Sequence, residues 1–419
     1  MIYKALFLEV EIELYDLNLA PISEIYYLCF AIIIILHMSN KQYNIPTLPL
    51  GIELENKRIL KQLAISSRML GELKGAAEKI PNKDILISAL TLMEAKDSSE
   101  VENIVTTHDE LYKADLNLHI REFSISSAAK EVMNYREAIK EGFKLVEEQE
   151  LLTNSTIKRI QLVLEGNRAG FRTVPGTKLE DSRKNVIYTP PQDGATINNL
   201  MQNLEVFIND DSVSDLDYLV KMAVIHHQFE SIHPFYDGNG RTGRIMCILY
   251  LVSKGLLDLP TLYISRYITQ NKAEYYRLLQ EIRDTEKNQE EWRNWVYFML
   301  KGVEVTAKGT LSIIDGINKL MIEYKNILKP LFGRTYKHEL INNLFFHPYT
   351  KIEYIERDMM VRRKTASKYL EQIVETGLLD KVKIGKVNYY INARLVDLFL
   401  NHQSYTDSTT DSIESVHNE

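Results

Sequence analysis

Cysteine is nearly absent: the 419 residues include only Cys29 and Cys247, far apart in the chain. That excludes a disulfide framework and a thiolate metal cluster, and a reducing cytosol is the expected setting. An excess of positive charge is also missing. The chain carries 50 Lys and Arg against 57 Asp and Glu, a net charge of -7, so nothing global points to nucleic acid or an anionic membrane. Nor does it contain the roughly 20 consecutive apolar residues needed to span a bilayer. The strongly apolar stretch YYLCFAIIIIL, Tyr26 to Leu36, is much shorter. Glu9, Glu11, Glu13 and Asp16 come before it, where a secretory leader would be basic. No membrane association is expected, and no internal repeat is found.

The chain is too long for one ordinary core, so two or three domains are expected. Residues 1–37 read as an upstream extension from a mis-called start, with Met38 the more natural beginning and a buried strand or helix as the alternative. Residues 38–150 contain few glycines or prolines, and Ile59, Leu60, Leu63, Ile65 and Leu70 recur at helical spacing. A third section, 151–312, is also helical. It is interrupted by a hairpin-like loop at Gly166–Pro191 that contains the β-prone Val186, Ile187 and Tyr188. A linker helix is expected over 313–334. Residues 335–400 read as helix, turn, helix and two short strands, the order of a winged helix, with Thr365–Thr376 as recognition helix. The polar tail 401–419 is expected to be disordered. The fold class is therefore mainly α, with a small β-hairpin and a C-terminal winged-helix unit.

The chemistry concentrates in HPFYDGNGRTGR, His233 to Arg244. One reading is a metal site, because His226, Glu230 and His233 share a helical face. It leaves Asp237 to Arg244 unexplained and sets two arginines against a dication. A phosphate cradle explains more. Gly238, Asn239 and Gly240 can turn successive N–H groups toward an anion, and the apolar helix that follows points its positive end to the same place. Arg241 and Arg244 project from one face of that helix and suit polyphosphate oxygens. Asp237 has the chemistry for Mg²⁺, which takes one or two carboxylates plus substrate phosphates. His233 is left to remove a proton from a hydroxyl, worth roughly 10²–10⁴-fold in rate. A bland glycine-rich turn needs none of these side chains.

The same twelve residues match the signature of the Fic family, H-P-F-x-[D/E]-G-N-G-R-x-x-R, at every fixed position. HHQFESIHPF, GFRTVPGT with VIYTPP, and NKAEYYRLLQEIR also resemble bacterial multi-domain members, so the resemblance covers about residues 45–400. It implies a helical core over 151–312 that transfers AMP from ATP to a Ser, Thr or Tyr hydroxyl of a protein, the chain itself included. His233 would be the base and Asp237 the Mg²⁺ ligand. The amides around Gly238, Asn239 and Gly240, with the Asn239 side chain, would cradle the inner phosphates, and Arg241 and Arg244 would hold the outer ones. Val186, Ile187 and Tyr188 would offer a strand edge to the target, with a packing strand as the alternative. Tyr275 and Tyr276 would line an adenine pocket, although core aromatics are the commoner use of such spacing. Removal of AMP, or cleavage of another nucleotide, uses the same parts and stays open.

Upstream, Ser98-x-x-x-Glu102-Asn103 fits the family's inhibitory pattern [S/T]-x-x-x-E-[G/N], with the inhibitory helix expected near 96–112. Glu102 would pair with Arg244 and displace the outer phosphates. Ser127-x-x-x-Glu131, followed by Val132, fits less well. Residues 335–400 hold 11 basic and 8 acidic side chains. Arg362, Arg363, Lys364, Lys368, Lys381, Lys383 and Lys386 are candidate phosphate contacts for DNA, with a protein-contact face as the equal alternative. A second copy of the chain, forming a homodimer, is a further candidate partner.

Overall fold

Six of the α-helices begin where the sequence supplies a side-chain cap. In the computed structural model Asn56 caps α1 (Lys57–Ala77), Asn82 caps α2 (Lys83–Val101) and Ser126 caps α3 (Ser127–Gln149). Thr153 caps α4 (Asn154–Glu165), Asp193 caps α5 (Gly194–Asn209) and Asp217 caps α6 (Tyr218–Ile232). Each accepts from an amide of the first turn that would otherwise lack a partner. Helix α7 (Asn239–Ser253), like the helices that follow it, has no side-chain cap, and it starts on Gly238 at φ 76°. The structure describes residues 43–399 apart from 109, 112–113, 115–125, 182, 286–287 and 385–386. The expected extension 1–37, the tail 401–419 and Lys386 lie outside the described residues.

Between α4 and α5 comes a hairpin of β1 (Leu179–Glu180) and β2 (Val186–Tyr188), antiparallel, with Leu179 opposite Tyr188. After α7 follow α8 (Ser265–Gln270), α9 (Lys272–Asp284) and the long α10 (Gln289–Phe332). Helix α7 is the centre of the core, packed on by α2, α3, α4 and α6. Ile245, Met246, Ile248, Leu249 and Leu251 on it are buried on every side, each worth roughly 1.5–3 kcal/mol. An all-round apolar helix can sit only inside such a bundle. Helix α6 is buried in the same way from Leu219 to Ile232. Together α6 and α7 fix the segment between them, which is the glycine-rich motif.

Helix α10 runs through one expected boundary. The expected division between 312 and 313 falls inside this single helix of 44 residues, about 66 Å at 1.5 Å per residue. Its first half buries Trp292, Trp295 and Val303 in the core. Its second half buries Ile314, Ile317 and Tyr324, and the Tyr324 hydroxyl donates to Leu378 O at 2.8 Å in the C-terminal unit. That unit runs α11 (His338–Phe346), β3 (Tyr349–Thr350), α12 (Ile352–Met359), α13 (Arg363–Glu375), β4 (Asp380–Ile384) and β5 (Val387–Ile391). Its strands pair in the order β3-β5-β4, all antiparallel. Sequence periodicity did not reveal α11 and β3. Among the described residues no helix is long and apolar enough to cross a membrane.

Candidate active site

Helix α6 ends on His233, whose backbone is left-handed at φ 49° and ψ 58°. The chain then turns through Phe235–Gly238 into α7. Asn239 braces this turn. Its Oδ1 accepts from Phe235 N–H and its Nδ2 donates to Phe235 O, both at 2.8 Å. The buried amide is thus committed to the loop, which leaves the Asn239 backbone rather than its side chain available to an anion. Asp237 is exposed, and its Oδ1 accepts from Gly238 N–H at 2.7 Å. With no side-chain cap on α7, its first amides and the positive end of its dipole form an anion-attracting point beside His233.

The two arginines stand on α7 one turn further in, and both are buried. Arg244 donates from Nε to Ser98 Oγ at 2.7 Å and from Nη2 to Ser98 O and Glu102 Oε1, both at 2.9 Å. Burial disfavours its charge, but the Glu102 carboxylate together with Tyr275, Tyr135 and Tyr276 outweighs this and holds its pKa above the ordinary arginine value. Arg241 donates to Glu131 Oε2 at 3.1 Å and to Glu165 Oε1 at 2.8 Å. The carboxylates also lie against the glycines. A Cβ added at Gly240 would stand 2.3 Å from Glu102 Oε1, and one at Gly238 would stand 2.4 Å from Glu165 Oε1. Glycine at both places leaves room for an oxyanion close to the backbone.

Helix α2 ends at Val101, so Glu102 is its C-cap residue, and the helix expected near 96–112 stops well short of that span. Asn103 follows in the left-handed region at φ 63°, a conformation that favours glycine and tolerates asparagine. That requirement explains why the pattern ends in Gly or Asn. Four residues apart on one face of α2, Glu94 and Ser98 point the same way. Glu94 accepts from the Tyr135 hydroxyl at 2.9 Å, from Ser265 N–H at 3.1 Å and from the Ser265 hydroxyl, and burial pushes its carboxyl up to about 8.

His233 is partly buried. Burial, and then the nearby Arg172 and Arg283 guanidinium groups, push its imidazole down to about 3, so the ring is neutral and able to accept a proton. Negative phosphates beside it would raise that value toward the range suited to a base. Arg172, at the start of the loop before β1, is completely buried and donates to His233 O at 2.7 Å and Ile232 O at 3.2 Å. The far end of the same loop is tied down by Tyr188, whose hydroxyl donates to Ser231 O at 2.7 Å and whose ring faces Arg283. Val186 and Ile187, by contrast, are both half exposed on a short strand edge.

Tyr275 is not placed to line a pocket. It is buried among His226, Trp295 and Phe298, with its hydroxyl 2.8 Å from His226 Nε2. Tyr276 is exposed and close enough to Glu102 and Arg244 for their charges to act on its hydroxyl. His226, Glu230 and His233 do not converge, since His233 has already left the helix, and among the described residues no three acidic, Cys or His side chains are grouped to hold a metal. Glu230 is buried with Oε1 unpartnered, and burial pushes its carboxyl up to about 7. Sequence reasoning gave no role to Glu165, Glu94 or Arg172, and no local signal marks them. Glu131 was visible only as a poorer inhibitory match.

A helical bundle with an uncapped helix N-terminus, two buried arginines on that helix and a neutral histidine just before it has the parts of an anion-handling site. The chain belongs to the Fic/DOC family. Three family profiles match in chain order: "Fic/DOC family N-terminal" over residues 60–144, "Fic/DOC family" over 151–251, and "Protein adenylyltransferase SoFic-like, C-terminal domain" over 320–395. A Drosophila erecta protein named "Protein adenylyltransferase Fic" is 30% identical over 134 residues, 30% of this chain and 26% of that one. An Aquifex aeolicus protein named "Probable protein adenylyltransferase" is 29% identical over 181 residues, 43% of this chain and 53% of that one. The chain therefore spans from about a quarter to about half the length of these relatives. The crystal structure of a Fic family protein from Desulfovibrio desulfuricans G20 has the same fold, with a TM-score of 0.50 at 17% identity over 82% of this chain and 98% of that one.

Proposed function

We propose that the chain is a protein adenylyltransferase that moves AMP from ATP to a Ser, Thr or Tyr hydroxyl of a protein target, itself included, and that Glu102 restrains it. The observation that carries this reading is the juxtaposition of neutral His233 with the uncapped start of α7 and its two buried arginines. The amides of Gly238, Asn239 and Gly240 hold the inner phosphates, and Arg241 and Arg244 the outer ones. His233 takes the hydroxyl proton, the oxygen attacks the α-phosphorus, and the bond to the β-phosphate breaks to release pyrophosphate. Asp237, exposed and carboxylate, fits Mg²⁺, which would neutralise charge on the departing pyrophosphate. The half-exposed edge at Val186 and Ile187 is the place for an extended target segment.

Glu102 supports the restraint, because it occupies the guanidinium that an outer phosphate needs, at 2.9 Å. The decisive experiment is intact mass after incubation with ATP and Mg²⁺. An AMP adduct on the chain or on an added protein, lost in His233→Ala, is the expected result. No adduct even from Glu102→Gly, with AMP instead released from a premodified protein, would replace transfer by removal at the same site.

The C-terminal unit, read as a winged helix, fits protein contact better than DNA. Arg363 is paired with Glu353 at 2.7 Å and Lys381 with Glu371 at 2.6 Å, so two of the candidate phosphate contacts already serve its own carboxylates. A salt-dependent shift of duplex DNA that disappears in the Arg362→Ala, Arg363→Ala double variant would reverse that preference.

A further inference from the structure

Arg172 is a buried cation with an unusual set of partners. Among the described residues no carboxylate pairs with it, and its Nη1 meets no acceptor. An uncompensated buried charge is destabilising unless the fold uses it elsewhere. Its hydrogen bonds run to the peptide carbonyls on either side of one α-carbon. Nη2 donates to Ile232 O, which belongs to the peptide plane before His233, and Nε donates to His233 O, in the plane after it. Rotation about φ moves the first plane and rotation about ψ the second. A rigid guanidinium fork on both therefore fixes the two angles together. The Arg172 backbone N–H adds a third bond, to Pro234 O at 2.8 Å. The conformation held in this way, φ 49° and ψ 58°, lies in the left-handed region that residues other than glycine uncommonly occupy.

We propose that Arg172 is a positioning residue for the reaction: it locks the backbone of His233 so that the imidazole is aimed at the attacking hydroxyl. This rests on the reading of His233 as the base. The charged groups that bear on the ring are Arg172 from the loop before β1 and Arg283 from α9, while the Glu230 backbone on its own helix favours the protonated form. Arg172 and Arg283 both oppose protonation, and Arg283 is also engaged with Ser231 and the Tyr188 ring. Because Arg172 opens the segment that ends at the target-docking edge, one side chain links the hydroxyl's platform to the base.

The test uses the full chain carrying Glu102→Gly, with Arg172→Lys and Arg172→Gln added separately. Imidazole NMR titration identifies the His233 signal by its loss in His233→Ala, and calorimetry reports binding of a non-hydrolysable ATP analogue. In Arg172→Gln the His233 pKa rises by up to about one unit as a cation is lost. The acid limb of AMP transfer then moves to higher pH by the same amount. Arg172→Lys keeps the charge but not the fork. Its His233 pKa stays put while the turnover rate falls at least about tenfold, as expected for a misaimed base, with analogue affinity within about twofold. Undiminished turnover in Arg172→Lys, or analogue binding and turnover lost in parallel in both variants, overturns the proposal and leaves Arg172 a structural cap of α6. If the Glu102→Gly protein transfers no AMP, the proposed activity fails, while the titration still decides what Arg172 does to the imidazole.

Discussion

The two ends of the 233–244 segment are held by different chemistry. At the histidine end the grip is on backbone carbonyls: Arg172 takes Ile232, His233 and Pro234, and Tyr188 takes Ser231. At the arginine end it is on side chains, by carboxylates from three other places: Glu102 after α2, Glu131 on α3 and Glu165 at the end of α4. A carbonyl held by a buried donor has no competitor in solution, so the first grip is permanent. A guanidinium held by a carboxylate can be taken over by a phosphate, which offers the same planar pair of acceptors and more charge. In the proposed reaction the base is therefore built to stay and the cradle is built to be exchanged.

Breaking the permanent end has the largest expected effect. His233→Ala lowers AMP transfer by roughly 10²–10⁴-fold while affinity for an ATP analogue is retained. Equal loss of both would mean that the histidine shapes the cradle rather than the chemistry. Breaking the exchangeable end acts in the opposite direction. Glu102→Gly frees Arg244 for the outer phosphates and raises transfer by about 10²-fold, the scale of a corrected misalignment. A folded Glu102→Gly protein with unchanged or lower transfer would remove the restraint from the account.

The same division decides what could be seen in the chain beforehand. The motif is contiguous, so its glycines, arginines and histidine were legible from twelve residues, and the apolar runs on either side gave α6 and α7. Glu102 was legible only through a pattern with Ser98 and Asn103, whose physical basis is the left-handed Asn103. Glu165 and Arg172 carry no such mark. They meet Arg241 and His233 across 76 and 61 positions of chain, and a glutamate at a helix end or an arginine in a loop reads as solvated. Helix α10 was cut short for another reason. Gly302, Thr306, Gly309 and Thr310 are weak helix formers, but all are buried, and Gly302 leaves room for the Tyr267 ring, whose Cδ1 would lie 2.9 Å from an added Cβ. Packing there overrides propensity.

A smaller effect separates the carboxylates within the exchangeable end. Glu165 is more sheltered than Glu131, with 14% against 40% of its side chain exposed, so its pair with Arg241 is the less screened of the two. Glu165→Gln should improve ATP-analogue affinity by roughly three- to tenfold, and Glu131→Gln by about twofold or less, within the range of partly exposed pairs. Weaker binding in Glu165→Gln would show that this carboxylate orients Arg241 for the phosphate instead of competing with it.

The smallest effect lies behind the arginines, where Glu94 anchors the face of α2 that carries Ser98. Its carboxyl is pushed up to about 8 by burial, from 4.5 in the unfolded chain. Between those values the folded protein binds the extra proton, so this group makes stability fall as pH rises, and the loss is complete above pH 8. The buried His108, His226 and His233 act in the opposite sense. Their values are lowered by burial to about 4, 3 and 3, so their contribution grows with pH and is complete above about 6.5. Among the described residues with shifted values, from pH 6.5 to 8 the buried acids still titrate, chiefly Glu94, with Glu230 ending near 7. One proton over that interval corresponds to about 2 kcal/mol. Thermal denaturation should therefore show a melting point that declines from pH 6.5 to 8. Glu94→Gln, which keeps an acceptor for Tyr135 and Ser265 but cannot titrate, should flatten most of that decline. An unchanged slope in a folded Glu94→Gln protein would mean that the cluster behind Ser98 is already ionised and is held by the Arg244 charge.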